Sequence, residues 1–375
     1  MNPSPNTFDL IVVGAGIVGL AHAYTAARRG LRVCVVERDA ACVGASIRNF
    51  GFITVTGQGA GDTWRRARRA REVWGDVAPR AGIQAVHHGL YLTAARPQAL
   101  AVLEEFMATE MGRDCELLDV AEAARRAPVL RLEGAQGVLY SPHEMRVESR
   151  TAIGLLTTWL AQAHGVAFRF GEAVLEVATP RVRTSRGVLH AERVVVCTNN
   201  DINGLLAERL APHGLRLCLL HMLRVRPAPG FLLPGSVMGD LSLVRYHGYS
   251  RLPSAAALHE QLRREEAESL DHGIHLIVVQ SADGSLVVGD SHHYGAAPEP
   301  FADERVDDLI LRHLHETLRL EASRVTERWV GIYPSSATTD CLIDKPDDAT
   351  RLVIVTSGTG ASTAFGIAED TFGDW

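Results

Sequence analysis

In the first forty residues of this 375-residue chain, the apolar, β-branched run FDLIVV (8–13) ends at Gly14, which opens a G-x-G-x-x-G spacing at Gly14, Gly16 and Gly19. Leu20 to Arg29 continues as an alanine-rich helix, Gly30 ends it, and LRVCVV (31–36) is a second strand closing on Glu37. Strand, glycine turn, helix, strand and acid in this order specify a right-handed parallel βαβ unit of Rossmann type. Gly14 allows the tight turn, Gly16 lets backbone approach a pyrophosphate, and Gly19 lets helix and sheet pack closely. The helix N-terminus adds unpaired N–H donors and a positive dipole end. Glu37, 18 residues beyond Gly19, is placed to accept from ribose hydroxyls and would repel a 2′-phosphate. A dinucleotide other than NADP is expected, with Arg38 beside it.

Two further segments select FAD over NAD. Gly44 to Gly51 (GASIRNFG) is small, polar and glycine-flanked, so that its backbone, the Ser46 hydroxyl and Asn49 can approach a cofactor. Near the other end, LVIVT (352–356) runs into Ser357-Gly358-Thr359-Gly360-Ala361-Ser362-Thr363 and then a helix, 364–369. A second strand, glycine turn and helix so far from the first suits a flavin, whose electron-rich ring edge a second helix N-terminus can face. Gly358, Gly360 and Thr363 are the candidate contacts there.

Composition narrows the function. With 46% hydrophobic residues, 22% charged residues and a net charge of −6, the chain reads as a soluble globular protein and neither a nucleic-acid nor a membrane-surface binder. Basic residues are nearly all arginine, and Lys345 is the only lysine. Six scattered cysteines form no CxxC pair, so neither a zinc site nor a disulfide framework is expected, and no metal is assigned. The run Leu10 to Leu20 is broken by glycines and too short to cross a bilayer. No targeting signal is seen, and the cytoplasm is the expected location.

These motifs, the middle strand Arg193 to Asn199 and the closing SGTGAS turn resemble the D-amino-acid oxidase, glycine oxidase and sarcosine oxidase family of FAD enzymes over essentially the whole chain. The resemblance implies a mixed α/β fold, with a Rossmann-like FAD-binding domain (1–85, 145–215 and 326–375) interleaved with a substrate domain on a large antiparallel sheet (86–144 and 216–325). It implies further FAD contacts at Val174 and Thr198. Strands are expected at Gly89–Thr93, Gly137–Tyr140, Arg216–Val225 and Leu243–Tyr249, with a hairpin over Ile274–Asp290 turning at Asp283-Gly284. Helices are expected at Asp62–Ala78, Arg96–Met111 and Ala255–Leu270.

The substrate anchor departs from the family. Trp329-Val330-Gly331-Ile332-Tyr333-Pro334 is similar to a W-x-G-x-R-P stretch whose arginine holds the substrate carboxylate, and Tyr333 stands in that place. Val287 stands where the sarcosine oxidases carry a lysine that assists oxygen. Replacement anchors are Arg48, beside the cofactor loop, and Arg245 and His247, expected on one strand face with Tyr246 on the other. His221, Arg224 and His292-His293 add further positive or imidazole groups, and adjacent His292 and His293 should diverge rather than pair on a metal. Arginine clusters suit a phosphonate. The segments Ile47–Gly51, Tyr140–Pro142, Gly273–His275 and Gly289–Gly295 resemble one branch of the family, linked to amino-phosphonates related to 2-aminoethylphosphonate. The leading reading is an oxidase of a small anionic amine with oxygen as acceptor. A second is a dehydrogenase passing electrons to a quinone or carrier, and a third is a non-catalytic flavin-binding protein.

Where sarcosine oxidases carry the cysteine that bonds the flavin, this chain has Gly331. FAD is therefore expected to be held without a covalent link. Acid precipitation should release yellow colour into the supernatant; flavin retained in the washed pellet would contradict this.

Overall fold

A computed structural model describes residues 6–373 and 375. The expected βαβ unit forms as strand Thr7–Val13, helix Ile17–Arg28 and strand Val33–Glu37, with the strands parallel and Leu10 to Val13 opposite Val33 to Val36. Around it grows a sheet of eight strands. Its main path runs Cys341–Asp347, Thr350–Val355, Gly187–Val196, Thr7–Val13, Val33–Glu37, Ala167–Phe170. Its four interior pairings are parallel, and the edge strand Cys341–Asp347 is antiparallel. The buried stretches Leu10–Val13, Val33–Val36, Val194–Val196 and Leu352–Val355 are nearly continuous in valine, isoleucine and leucine, as the inner strands of a parallel sheet must be.

A second sheet of ten strands is antiparallel apart from the pairing of Ser236–Met238 with Ala85–Ala94. Its longest pairing joins Arg216–Pro227 to Ser323–Ser335. Residues 326–335, expected to belong with the FAD-binding segments, therefore run in the second sheet, because that 13-residue strand pairs along its partner's whole length. Phe52–Ile53 also pairs there, with Met145 and Arg146. The architecture is the expected mixed α/β one, built on two large sheets fed alternately by the chain.

Three expected elements differ, the first being the helix expected over 96–111, which ends at Met107 and is followed by a 3₁₀ turn, Glu110–Gly112. Residues 243–249 are not a strand: Asp240–Val244 is a 3₁₀ turn and His247–Ser250 a single helical turn. The carbonyl of Ser242 accepts from the N–H groups of both Arg245 (3.2 Å) and Tyr246 (3.0 Å), which closes the backbone on itself instead of offering it to a ladder. The expected helix 255–270 is split into Ala255–Glu265 and Ala267–Asp271. All six cysteines are free. Among the described residues, no helix is long and apolar enough to cross a membrane.

Helix Asp62–Arg80 carries five arginines in its first ten residues, yet buries Ala67, Ala70, Val73, Trp74 and Val77 at helical spacing. That stripe packs on the closing helix, Gly360–Gly373. Gly366 permits the approach, since a Cβ there would stand 2.6 Å from the carbonyl oxygen of Arg66. The Trp74 indole is 2% exposed, meets Phe365 edge-on at 5.3 Å, and donates to the carbonyl of Ala361 at 2.9 Å. Trp74→Ala should destabilise the protein by about 3–5 kcal/mol, because a cavity opens and that carbonyl loses its partner. Urea unfolding measures this, and a loss below about 1 kcal/mol would show that the helix pair is not held there.

Candidate functional site

Gly14 has φ +102°, and a Cβ on it would lie 2.5 Å from the Cys197 carbonyl oxygen. A Cβ on Gly19 would lie 2.0 Å from the Gly14 carbonyl oxygen. Both positions admit only glycine, and together they lay helix Ile17–Arg28 on its strand with its N-terminus at the carboxyl ends of the parallel strands. Gly16 caps that helix without a side-chain hydrogen bond. Ser46 reaches it from the next loop, its Oγ accepting from the Ile17 N–H at 2.9 Å. Glu37 accepts from the N–H groups of Ala15 (2.8 Å) and Asp39 (3.1 Å), which places its carboxylate beside the glycine turn.

A cavity of about 310 Å³ opens above this turn. Its floor includes Gly16, Gly19 and Ser46, and one wall is the second glycine turn, Ser357 to Ser362, leading into the closing helix. Another part of the lining comes from the second sheet and includes Leu220, Met222, Ile277 and Tyr333. The segment Arg245, Tyr246 and His247 closes one side. The helical turn there brings all three to the cavity, where the expected strand would have sent Tyr246 away.

Arg48, Asn49, Gly358 and Gly360 also line the cavity. Arg48 is exposed and donates from Nε to the Val43 carbonyl at 2.8 Å, while its own carbonyl accepts from the Trp329 indole at 2.9 Å. Asn49 shapes its loop, accepting from the Gly51 N–H at 2.6 Å. His247 is at the rim, 46% exposed and 3.7 Å from Asp340. Gly331 lies in the wall, paired with Leu220.

Several expected residues lie elsewhere. Arg38 is exposed and paired with Asp201 at 2.7 Å. Val174 begins an outlying strand, and Thr363 is buried in the first turn of the closing helix. Thr198 follows the strand Gly187–Val196, with a buried hydroxyl that has no partner. His221 is bound to Asp307 at 2.9 Å, and Arg224 faces a separate cleft, donating to Ser285 at 2.7 Å, so neither joins the anion set. Val287 is buried in the second sheet. Lys345 is on the edge strand of the first.

The positive wall centres on Arg245. Its Nη2 donates to the Tyr294 hydroxyl at 2.8 Å and reaches the Tyr333 hydroxyl at 3.5 Å. Burial raises the pKa of both phenols despite the adjacent guanidinium, so they remain neutral donors. Beside them His275, Asp290 and His292 place ligand atoms within 4.8 Å of one another, the one such group among the described residues. The metal-ligand spacing sought along the sequence does not reveal this group, because a hairpin assembles it. His275 and Asp290 exchange backbone hydrogen bonds at 3.1 and 3.2 Å across the turn at Asp283-Gly284, and His292 lies two residues on. Pairing residues across that turn was the available signal. His293 points away, towards His221 and His272.

The glycine cradle and the two helix starts at the cavity fit a dinucleotide there. Glu37→Ala should weaken FAD binding by about 1.5–3 kcal/mol, a factor of roughly ten to a hundred, by removing a charge-assisted acceptor. Equilibrium titration of the apoprotein with FAD reads this out, and an unchanged dissociation constant would remove Glu37 from the ribose.

The comparisons with known proteins agree. The family profile described as FAD dependent oxidoreductase, DAO, matches residues 9–372. No curated protein matches the chain in sequence. Glycine oxidase from Bacillus cereus superposes with a TM-score of 0.77 at 16% identity, covering 98% of this chain and 96% of that one. L-proline dehydrogenase from P. horikoshii gives 0.78 at 16%, covering 98% and 93%. L-α-glycerophosphate oxidase from Mycoplasma pneumoniae, solved with FAD bound, gives 0.75 at 16%, covering 98% and 94%. The chain belongs to the DAO family of FAD-dependent oxidoreductases.

Proposed function

We propose that this enzyme oxidises the C–N bond of a small anionic amine, with an amino-phosphonate related to 2-aminoethylphosphonate, N-methylated or hydroxylated forms included, as the substrate class. The products are an aldehyde and an amine or ammonia, and hydrogen peroxide where oxygen takes the electrons. One observation carries the reading: the Arg245 guanidinium stands in the cavity wall with two tyrosine hydroxyls, not a carboxylate, as its hydrogen-bond partners. A guanidinium so placed calls for an anion from the substrate. A phosphonate brings three oxygens and up to two charges, against one planar fork and two phenol donors. Arg48 is the weaker anchor, because its guanidinium is turned out to the Val43 carbonyl.

FAD would be held, without a covalent bond, by the Gly14–Gly19 turn, Glu37, Ser46 and the Gly358–Gly360 turn. When bound, it accepts two electrons from the carbon bearing the amine. The chain's own residues position the substrate. Arg245, Tyr294 and Tyr333 fix its anionic end, and the apolar side chains of Leu220, Met222 and Ile277 keep water from the reacting carbon. A dehydrogenase handing electrons to a quinone or carrier is the second reading. It is favoured by the absence of lysine from the cavity wall, since Val287 is buried and Lys345 is remote.

Arg245→Ala should retain FAD but cost about 2–4 kcal/mol in flavin reduction by an amino-phosphonate at subsaturating concentration. Arg245→Lys should not restore it, because a point charge cannot replace the planar fork. Anaerobic bleaching of the flavin measures both. Wild-type rates in Arg245→Ala, or a wild-type preference for uncharged amines, would overturn the reading, and peroxide release separates oxidase from dehydrogenase.

A further inference from the structure

His275, Asp290 and His292 line the cavity beside Arg245, and the His275 ring has Nδ1 on the Ser242 hydroxyl at 3.3 Å, which turns Nε2 toward Asp290. Asp290 is 5% exposed, and its Oδ1 has no hydrogen-bond partner although His275 Nε2 is only 3.2 Å away. His292 donates from Nδ1 to the Gly273 carbonyl at 2.8 Å, so its Nε2 carries the lone pair, 3.8 Å from Asp290 Oδ2. The two imidazoles stack at 5.2 Å, and the Tyr246 ring closes on His275 edge-first at 5.5 Å. Burial, with Arg245 nearby, drives both histidines well below their usual pKa, so both are neutral.

We propose that His275, Asp290 and His292 are the receptor for the substrate's amine, their acceptors taking the N–H donors of the ammonium group and Asp290 removing one of its protons. This rests on the reading that the substrate is an anionic amine, and it adds where the nitrogen sits and what deprotonates it. The same three atoms would also surround a metal ion. A permanent guanidinium alongside opposes a divalent cation, whereas a zwitterion brings its own anion to neutralise Arg245.

In the proton transfer, an N–H bond breaks, its electron pair stays on nitrogen, and the proton bonds to Asp290, giving a neutral amine and a neutral carboxylic acid. Only the neutral amine has the lone pair that oxidation of the adjacent carbon draws on. The groups facing Asp290 are Arg245, His275, His292, Tyr246 and Cys218. Burial raises the Tyr246 hydroxyl and lifts the Cys218 thiol to about 11, which leaves both protonated at neutral pH. Burial lifts Asp290 to about 7 against the pull of Arg245, so its carboxylate form grows in as pH rises through neutrality. Flavin reduction at low substrate concentration should rise through the same range.

The test compares wild-type holoenzyme with Asp290→Asn and His292→Phe. Calorimetry at neutral pH uses two matched pairs: 2-aminoethylphosphonate with ethylphosphonate, and β-alanine with propionate. In wild type the amine should tighten binding within a pair. Asp290→Asn should lose roughly tenfold or more for the amine-bearing member and nothing for its amine-free partner. His292→Phe should show the same selectivity. Bleaching of Asp290→Asn should recover as pH approaches the substrate amine's own pKa, about 10, where the amine arrives already neutral. Amine-dependent binding confined to the carboxylate pair would keep this proposal and overturn the phosphonate reading. The proposal falls if the amine adds nothing in either pair, if the variants weaken both members equally, or if high pH gives no rescue. It falls also if the purified holoenzyme carries a stoichiometric metal ion whose removal abolishes amine binding.

Discussion

Nothing larger than a hydrogen atom fits between Gly19 and the carbonyl of Gly14, where a Cβ would stand 2.0 Å from the oxygen. That approach sets the position of the first helix on the first strand, and the rest of the site takes its reference from there. The helix start faces the cavity, Ser46 is tied to it through the Ile17 N–H, and Glu37 is drawn to Ala15. Gly14 in turn sits against the Cys197 carbonyl, so the segment that follows strand Gly187–Val196 and carries the orphaned Thr198 hydroxyl is located by the same turn. A side chain at either glycine would displace several cavity walls at once.

The two sheets divide the chemistry. The parallel sheet supplies helix starts and glycine turns, whose free backbone N–H groups suit phosphates. The antiparallel sheet supplies side chains: Tyr333 and Tyr294 around Arg245, and the hairpin that joins His275 to Asp290. The two parts meet closely. The Trp329 indole holds the Arg48 carbonyl, and Gly358 lets the Tyr333 ring approach to where a Cβ would stand 3.0 Å from it. Substitutions at Trp329 or Tyr333 therefore press on the loops that carry Arg48 and Gly358.

Legibility in the sequence followed locality. Both glycine turns, their strands and their helices were readable because the information lies within a few neighbouring residues. The segment 243–249 was not, because its alternating pattern suits a strand while Ser242 closes it into a turn and Gly248 donates to the Gly57 carbonyl. The anion set was read too widely: His221 and Arg224 carry the expected charge types but are taken up by Asp307 and Ser285. The His275, Asp290 and His292 group was within reach of hairpin register, yet spacing along the chain, the usual metal or catalytic signal, says nothing about residues joined across a turn.

The interleaving of segments has a consequence for biogenesis. Strand Thr7–Val13 is made early, but it lies between Val33–Glu37 and Gly187–Val196, and the sheet continues to Thr350–Val355. The helix that completes the cavity begins only at Gly360. On the ribosome, the early glycine turn exists for hundreds of residues without its opposite wall, and closing that loop is slow and non-local. A ligand that touches both turns can therefore lock in place only after the helix beginning at Gly360 has emerged. Because the ligand stabilises only the assembled state, flavin shifts newly made chains toward it.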